Sequence, residues 1–211
     1  NYALPTLNST NAPVTINAQN LTAALSNVGT TKVYDGSTSV PNGFIPSYTL
    51  SGLVIGDSSA TLTSTSVAFN NANVNRASSI VASGLSLTTI TGNNQSALSD
   101  YSFAGGSASA AATITAKPLT LSATKTYDGS TGLTGAVTVS GLIGTETLNY
   151  TGSTASDANV ATANKYINAI TLTDGSNGGL ASNYALPTLN STNAPVTINA
   201  KSISLSGSKT Y

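Results

Sequence analysis

The chain has 211 residues, of which 39% are hydrophobic and 7% charged, with a formal net charge of zero and no Cys, His, Met or Trp. One Arg and no basic cluster exclude nucleic-acid binding, which needs cations gathered against phosphate. No apolar run approaches the roughly 18 residues that span a bilayer, and no basic amphipathic helix points to a membrane surface. The missing cysteines exclude a disulfide-stapled secreted domain but leave cytosolic and exported bacterial proteins both open.

Taken from its start, the chain repeats itself. Residues 1–18 read NYALPTLNSTNAPVTINA, and residues 183–200 are identical to them. A diverged copy lies between, from Asp100-Tyr101-Ser-Phe103 to Ala112-Thr-Ile114-Thr-Ala116. A second marker, Lys32-Val-Tyr-Asp-Gly-Ser-Thr38, returns as Lys125-Thr-Tyr-Asp-Gly-Ser-Thr131 and begins again at Lys209-Thr210-Tyr211. The tyrosines stand 93 and then 84 residues apart. Between the markers Ser51-Gly52-Leu53 answers Ser140-Gly141-Leu142, and residues 62–74 match 148–160 without a gap. Self-similarity at a fixed long period is the signature of a tandem array. The expected division is a closing strand of a preceding repeat at 1–19, repeat modules at 20–116 and 117–200, and an opening strand of a following repeat at 201–211.

Within each module apolar residues alternate with Thr and Ser, as in Leu119-Thr-Leu121, Val137-Thr-Val139 and Val196-Thr-Ile198. A period of two with β-branched residues predicts half-buried strands, punctuated by Gly, Asn, Asp and Pro in the manner of antiparallel β structure. The expected fold is all-β: tandem small β-sandwich modules of immunoglobulin-like type, end to end, with a β-grasp-like module carrying one short helix as the alternative. The helix candidate is 159–166, and a single turn is expected after Gly52. Length differences should fall in connections such as Val40-Pro-Asn-Gly-Phe44. The first module also carries five extra residues between its start and Tyr34. Lys117-Pro118 joins the modules with no flexible linker, so the joint should be stiff.

The candidate structural motif is Tyr34-Asp35-Gly36 with its copy Tyr127-Asp128-Gly129. Asp-Gly makes a turn: Gly supplies positive φ, Asp accepts from nearby N–H groups, and the preceding Tyr can bury its ring. Tyr101 and Tyr184, ahead of the closing strands, are expected to plug the core. A calcium site on Asp35 or Asp128 would need several clustered oxygen ligands, and six Asp and one Glu offer no recognised spacing. No metal and no cofactor are expected. Catalysis lacks His, Cys and paired carboxylates, with Glu146 the single Glu. A Lys–Asn crosslink at Lys32 or Lys125 would need a buried acid in each module. Asn8, Asn20, Asn94, Asn149 and Asn190 lie in glycan-acceptor triplets, which a chain this rich in Asn, Ser and Thr also produces by chance.

Lys-x-Tyr-Asp-Gly-Ser-Thr, Ser-Gly-Leu, (Asn/Asp)-Ala-Asn-Val, Asn-Tyr and a closing strand running into Lys-Pro-Leu-Thr-Leu, in that order, resemble the YDG-domain repeats of very large bacterial surface and secreted adhesins of filamentous-haemagglutinin type. The chain departs from the usual Asp-Lys-Asn-Val-Gly phrase at Asn71-Ala-Asn-Val74 and Asp157-Ala-Asn-Val160. The resemblance implies a bacterial cell-surface or extracellular location, and no enzymatic role. It also implies a structural part, stalk or fibre, in attachment, aggregation or biofilm. Its partners would be neighbouring repeats of the same chain and other copies of the same protein. The alternative is that the modules themselves bind glycan or matrix ligands, or self-associate into extracellular fibres.

Overall fold

Alternation becomes structure most plainly in Ser107–Thr115, where Ala108, Ala110, Ala112 and Ile114 are buried and every second residue faces solvent. Small Ala and branched Ile on one face, with Ser and Thr on the other, suit a pleated half-buried strand. The computed structural model describes residues 2–103 and 106–211; Asn1, the first residue of the repeated 18-residue marker, lies outside them. Strands hold 43% of the residues and helical turns 3%, so the fold is all-β. The helical turns are two 3-10 segments, Leu98–Asp100 and Ala181–Asn183. The helix candidate at 159–166 is turn and bend instead, with Asn164 at φ 53°. The Lys165 ammonium there donates to the carbonyls of Val160 and Thr162, which closes a loop rather than a helical turn.

The strands run in order β1 (Gln19–Leu25), β2 (Thr30–Val33), β3 (Tyr48–Ser51), β4 (Asp57–Thr63), β5 (Ser66–Phe69), β6 (Ser79–Ser83), β7 (Ser86–Gly92), β8 (Tyr101–Phe103) and β9 (Ser107–Thr115). They continue with β10 (Lys117–Pro118), β11 (Thr120–Thr126), β12 (Val137–Ser140), β13 (Leu148–Ala155), β14 (Ile167–Asp174), β15 (Tyr184–Ala185) and β16 (Val196–Asn199). The chain divides into two compact units. The first is Asn1–Thr30, Ser39–Asn70 and Ser78–Ala112; the second is Thr31–Thr38, Asn71–Ala77 and Thr113–Tyr211. The second unit thus includes two short stretches from early in the sequence, one carrying Tyr34-Asp35-Gly36 and the other Asn71-Ala-Asn-Val74.

In the first unit β1 lies between β3, antiparallel, and β8, parallel. β4 pairs with β7, and β6 pairs with both β5 and β9. Leu21, Leu25, Leu62, Phe69, Ile80 and Tyr101 fill its interior. The Ser-Gly-Leu glycine is dictated by packing, because a Cβ on Gly52, at φ 102°, would meet the Asn20 carbonyl oxygen at 2.4 Å.

In the second unit β11 lies between β12, antiparallel, and β16, parallel, while β10 runs parallel to β15 and β13 pairs with β14. Its core is Leu121, Ala123, Leu133, Ala155, Ile167, Ile170, Ala194, Val196 and Ile198. Fully burying one such aliphatic side chain contributes about 1.5–3 kcal/mol.

The pairing is mixed where the punctuation suggested antiparallel strands alone. A repeat's opening strand pairs with its own closing segments, which lie many residues downstream and run the same way; parallel neighbours need just such long connections. The five extra residues of the first repeat break its opening strand into β1 and β2 around a turn at 26–29. The 40–44 insertion sits in a loop and turn as expected.

Candidate functional site

Tyr-Asp-Gly is a closed lock in both copies. Asp35 Oδ1 accepts from the Ser37 N–H at 2.9 Å and the Ser37 hydroxyl at 3.0 Å, and takes the Lys32 ammonium at 2.6 Å. Lys32 also donates to the Ser37 carbonyl at 2.8 Å. The later copy repeats this. Asp128 Oδ1 accepts from Ser130 N–H and hydroxyl at 2.9 and 3.0 Å and from Lys125 Nζ at 2.6 Å. Lys125 reaches on to the Gly132 carbonyl at 2.9 Å. Gly36 and Gly129 take φ 78° and 79°, the left-handed turn that glycine adopts without a Cβ penalty. The lysines complete the turn. At three residues before Asp, the side chain folds back over the turn and ends against carbonyls, its charge paired and its stem buried.

The lock sets the acidity of its carboxylates. The Lys125 ammonium, with the Ser130 donors, lowers Asp128 to about 2. At Asp35 partial burial works in the opposite direction, but Lys32 and Ser37 prevail and hold the carboxyl below its usual range.

The two motif tyrosines differ. Tyr34 is 4% exposed and Tyr127 is 38% exposed. Within the second unit the Tyr34 hydroxyl donates to Glu146 Oε1 at 2.7 Å, and the Tyr184 hydroxyl donates to Glu146 Oε2 at 2.6 Å. The two rings meet edge to face, with centroids 5.4 Å apart. The Tyr184 hydroxyl accepts from the Ile143 N–H at 2.9 Å. Beside it Asn183, wholly buried, donates from its carboxamide to Asn73 Oδ1 at 2.9 Å and accepts from the Val74 N–H at 3.0 Å. Burial, and then the Glu146 carboxylate, push the Tyr184 hydroxyl up to about 12 and the Tyr34 hydroxyl higher still.

The first unit builds half of the same cluster. The Tyr101 hydroxyl accepts from the Val54 N–H at 3.1 Å and donates to Asp57 Oδ2 at 2.6 Å. Val54 and Ile143 both follow Ser-Gly-Leu, and in each case the acid lies three residues on. Asp57 is therefore the counterpart of Glu146, which the gap-free match from Leu62 hides by placing Ala60 opposite it. Tyr101 holds the Asp57 carboxyl below its usual range, with Ser96 and Asn94 assisting. Burial and Asp57 in turn raise Tyr101.

The structure thus brings Tyr34 and Tyr184 together, places Tyr101 in an equivalent setting, and leaves Asp35, Gly36, Asp128 and Gly129 in local turns. The sequence alone names Glu146, Lys32 and Lys125 without these partners, and gives Asp57 and Asn183 no role. Among the described residues no group of three or more His, Cys, Asp or Glu could hold a metal ion. Among the described residues no helix is long and apolar enough to cross a membrane.

A protein-family model described as YDG domain matches residues 16–112 and again residues 110–195. The chain belongs to the YDG domain family. Its YDG repeats are consecutive, and the family's three-letter phrase marks the Lys–Asp–Ser lock in each. No curated protein and no solved structure matches the chain.

Proposed function

We propose that the chain is a structural repeat segment of a large bacterial extracellular adhesin, a stalk or fibre element at the cell surface or secreted, supporting attachment, aggregation or biofilm. The observation that carries this reading is the use made of the motif. The charges of both Tyr-Asp-Gly turns close on themselves, and the first motif tyrosine is consumed in the interior of the second unit. Side chains used in this way hold a chain together. The reading assigns no catalytic step to the chain. Its immediate partners are neighbouring YDG repeats. Stability in such arrays resides in each repeat and its nearest-neighbour contacts, so repeats loaded in series yield one at a time.

Single-molecule pulling on the chain between handles tests the mechanical role. Each YDG repeat should unfold in a separate event releasing on the order of 300 Å of contour, at ~3.5 Å per residue. Unfolding without resolvable force, or specific binding of the folded chain to immobilised glycans or matrix proteins, would overturn the spacer in favour of a binding module.

A further inference from the structure

The second YDG repeat carries the same two elements that the first contributes to the second unit, and there they are uncovered. Tyr127 corresponds to Tyr34, and Val160 to Val74. Tyr34 is 4% exposed and Val74 half-buried, whereas Tyr127 and Val160 are 38% and 40% exposed. Among the described residues nothing hydrogen-bonds the Tyr127 hydroxyl. Tyr127 and Val160 line an open groove of about 510 Å³ together with Ala200, Lys201, Ser202 and Ile203. The last of these is 88% exposed, although Leu119, its equivalent one repeat earlier, is 2% exposed.

Tyr34 and Val74 are covered by named groups. Tyr34 meets Glu146 and Tyr184, the Val74 N–H is capped by Asn183, and Gly36 sits against Ile143, where a Cβ would lie 3.1 Å from Cγ2. All four partners belong to the YDG repeat that follows in sequence. The first repeat holds the matching acceptor set, Val54, Asp57 and Tyr101. There Val54 is 41% exposed, whereas Ile143 is half-buried.

We propose that Tyr127, Val160 and Ile203 form a docking face for one further YDG repeat joined in line after residue 211. That repeat would contribute the residue after its Ser-Gly-Leu, the acid three positions beyond, and its Asn-Tyr pair. The acid takes the Tyr127 hydroxyl, the Asn carboxamide caps the Val160 N–H, and the groove closes as 201–211 become the opening strand of the new repeat. The inference rests on the proposed array only for the presence of further repeats, and does not depend on where the parent protein resides.

The test extends the whole chain after Tyr211 with a copy of residues 128–200 and maps tyrosine nitration by tetranitromethane, peptide by peptide. In the unextended chain Tyr127 should react and Tyr34 should resist. In the extended chain Tyr127 should become as resistant as Tyr34, and amide exchange at Ile203 and Leu205 should slow by roughly tenfold or more. Ala in place of the Glu of the added copy should restore Tyr127 reactivity while Tyr34 stays protected. A second extension, residues 35–116, covers a failure of the first to fold. If neither extension protects Tyr127, the proposal is wrong. Protection that rises with concentration in the unextended chain would replace the in-line repeat by a second molecule and equally overturn it. Neither outcome bears on the pulling measurement, so the two readings fail separately.

Discussion

Tyr184 donates its hydroxyl to Glu146 Oε2 at 2.6 Å, and Tyr101 donates to Asp57 Oδ2 at the same distance in the preceding repeat. In each case the tyrosine also accepts from the backbone N–H three residues before the acid. The repeated unit is therefore a tyrosine bridging a turn, with Asp or Glu at its far end. Tyr184→Phe keeps the ring and removes both bonds. It should destabilise the second unit by about 1–3 kcal/mol, the cost of leaving the half-buried Glu146 carboxylate and the Ile143 N–H each short of a partner. Urea unfolding of the full chain measures this, and a change within about 0.3 kcal/mol would contradict it.

Asn183 is the buried side chain that ties Asn73 and Val74 into the second unit. Asn183→Ala strips an acceptor from the Val74 N–H and a donor from Asn73 together. A loss of roughly 2–6 kcal/mol is expected, the sum of two such orphaned groups. Amide exchange at Val74 should accelerate with it, and unchanged exchange there would show that Asn183 is only space-filling.

Alkaline stability follows from Tyr184, whose hydroxyl is raised from an ordinary 10.0 to about 12. A raised folded-state value stabilises below the unfolded value and is lost as the pH climbs through the folded one. The second unit should keep its full stability up to about pH 10 and lose this contribution between pH 10 and 12. Tyr184→Phe should flatten that decline. Ring-carbon NMR of Tyr184 titrating near 10 would contradict the assignment.

The lock predicts acid behaviour of opposite sign. Asp128 is lowered from 3.8 to about 2, chiefly by Lys125, so its contribution is present above pH 3.8 and disappears as the pH falls through about 2. Lys125→Met should return the Asp128 carboxyl toward 3.8, read by carboxyl-carbon NMR. An unmoved titration would mean that the Ser130 donors, not the ion pair, hold it down.

The all-β class and the repeats were legible because both are local or periodic. Alternating residues in β9 and β11 announce strands, and Asp-Gly announces a turn. Partner identity is not periodic. Asp57 and Glu146 differ in length and fall out of step in a gap-free match, so their shared role shows only when counted from Ser-Gly-Leu. The lysine of the lock was readable from its spacing to Asp, but a lone Lys near a turn resembles any solvated charge.

The repeated 18-residue marker separates local from tertiary causes. Asn8 and Asn190 form the same turn, each accepting two N–H groups on Oδ1 within 3.0 Å. Yet Tyr2 and Ile16 are exposed, while the identical Tyr184 and Ile198 are buried, and only the second copy forms strands. The turn is encoded in its own residues; the strand needs neighbours to pair with.

A double-mutant cycle between Tyr34 and Glu146 is the most direct test that a Tyr-Asp-Gly segment is a working part of the second unit. Tyr34→Phe, Glu146→Ala and the pair would be compared in the full chain by denaturant-dependent amide exchange at Leu133 and Ile167, both fully buried in that core. The structure predicts that the two changes couple by about 1–3 kcal/mol. Additivity within about 0.3 kcal/mol would show that Tyr34 and Glu146 act independently, and would contradict the role assigned to the motif.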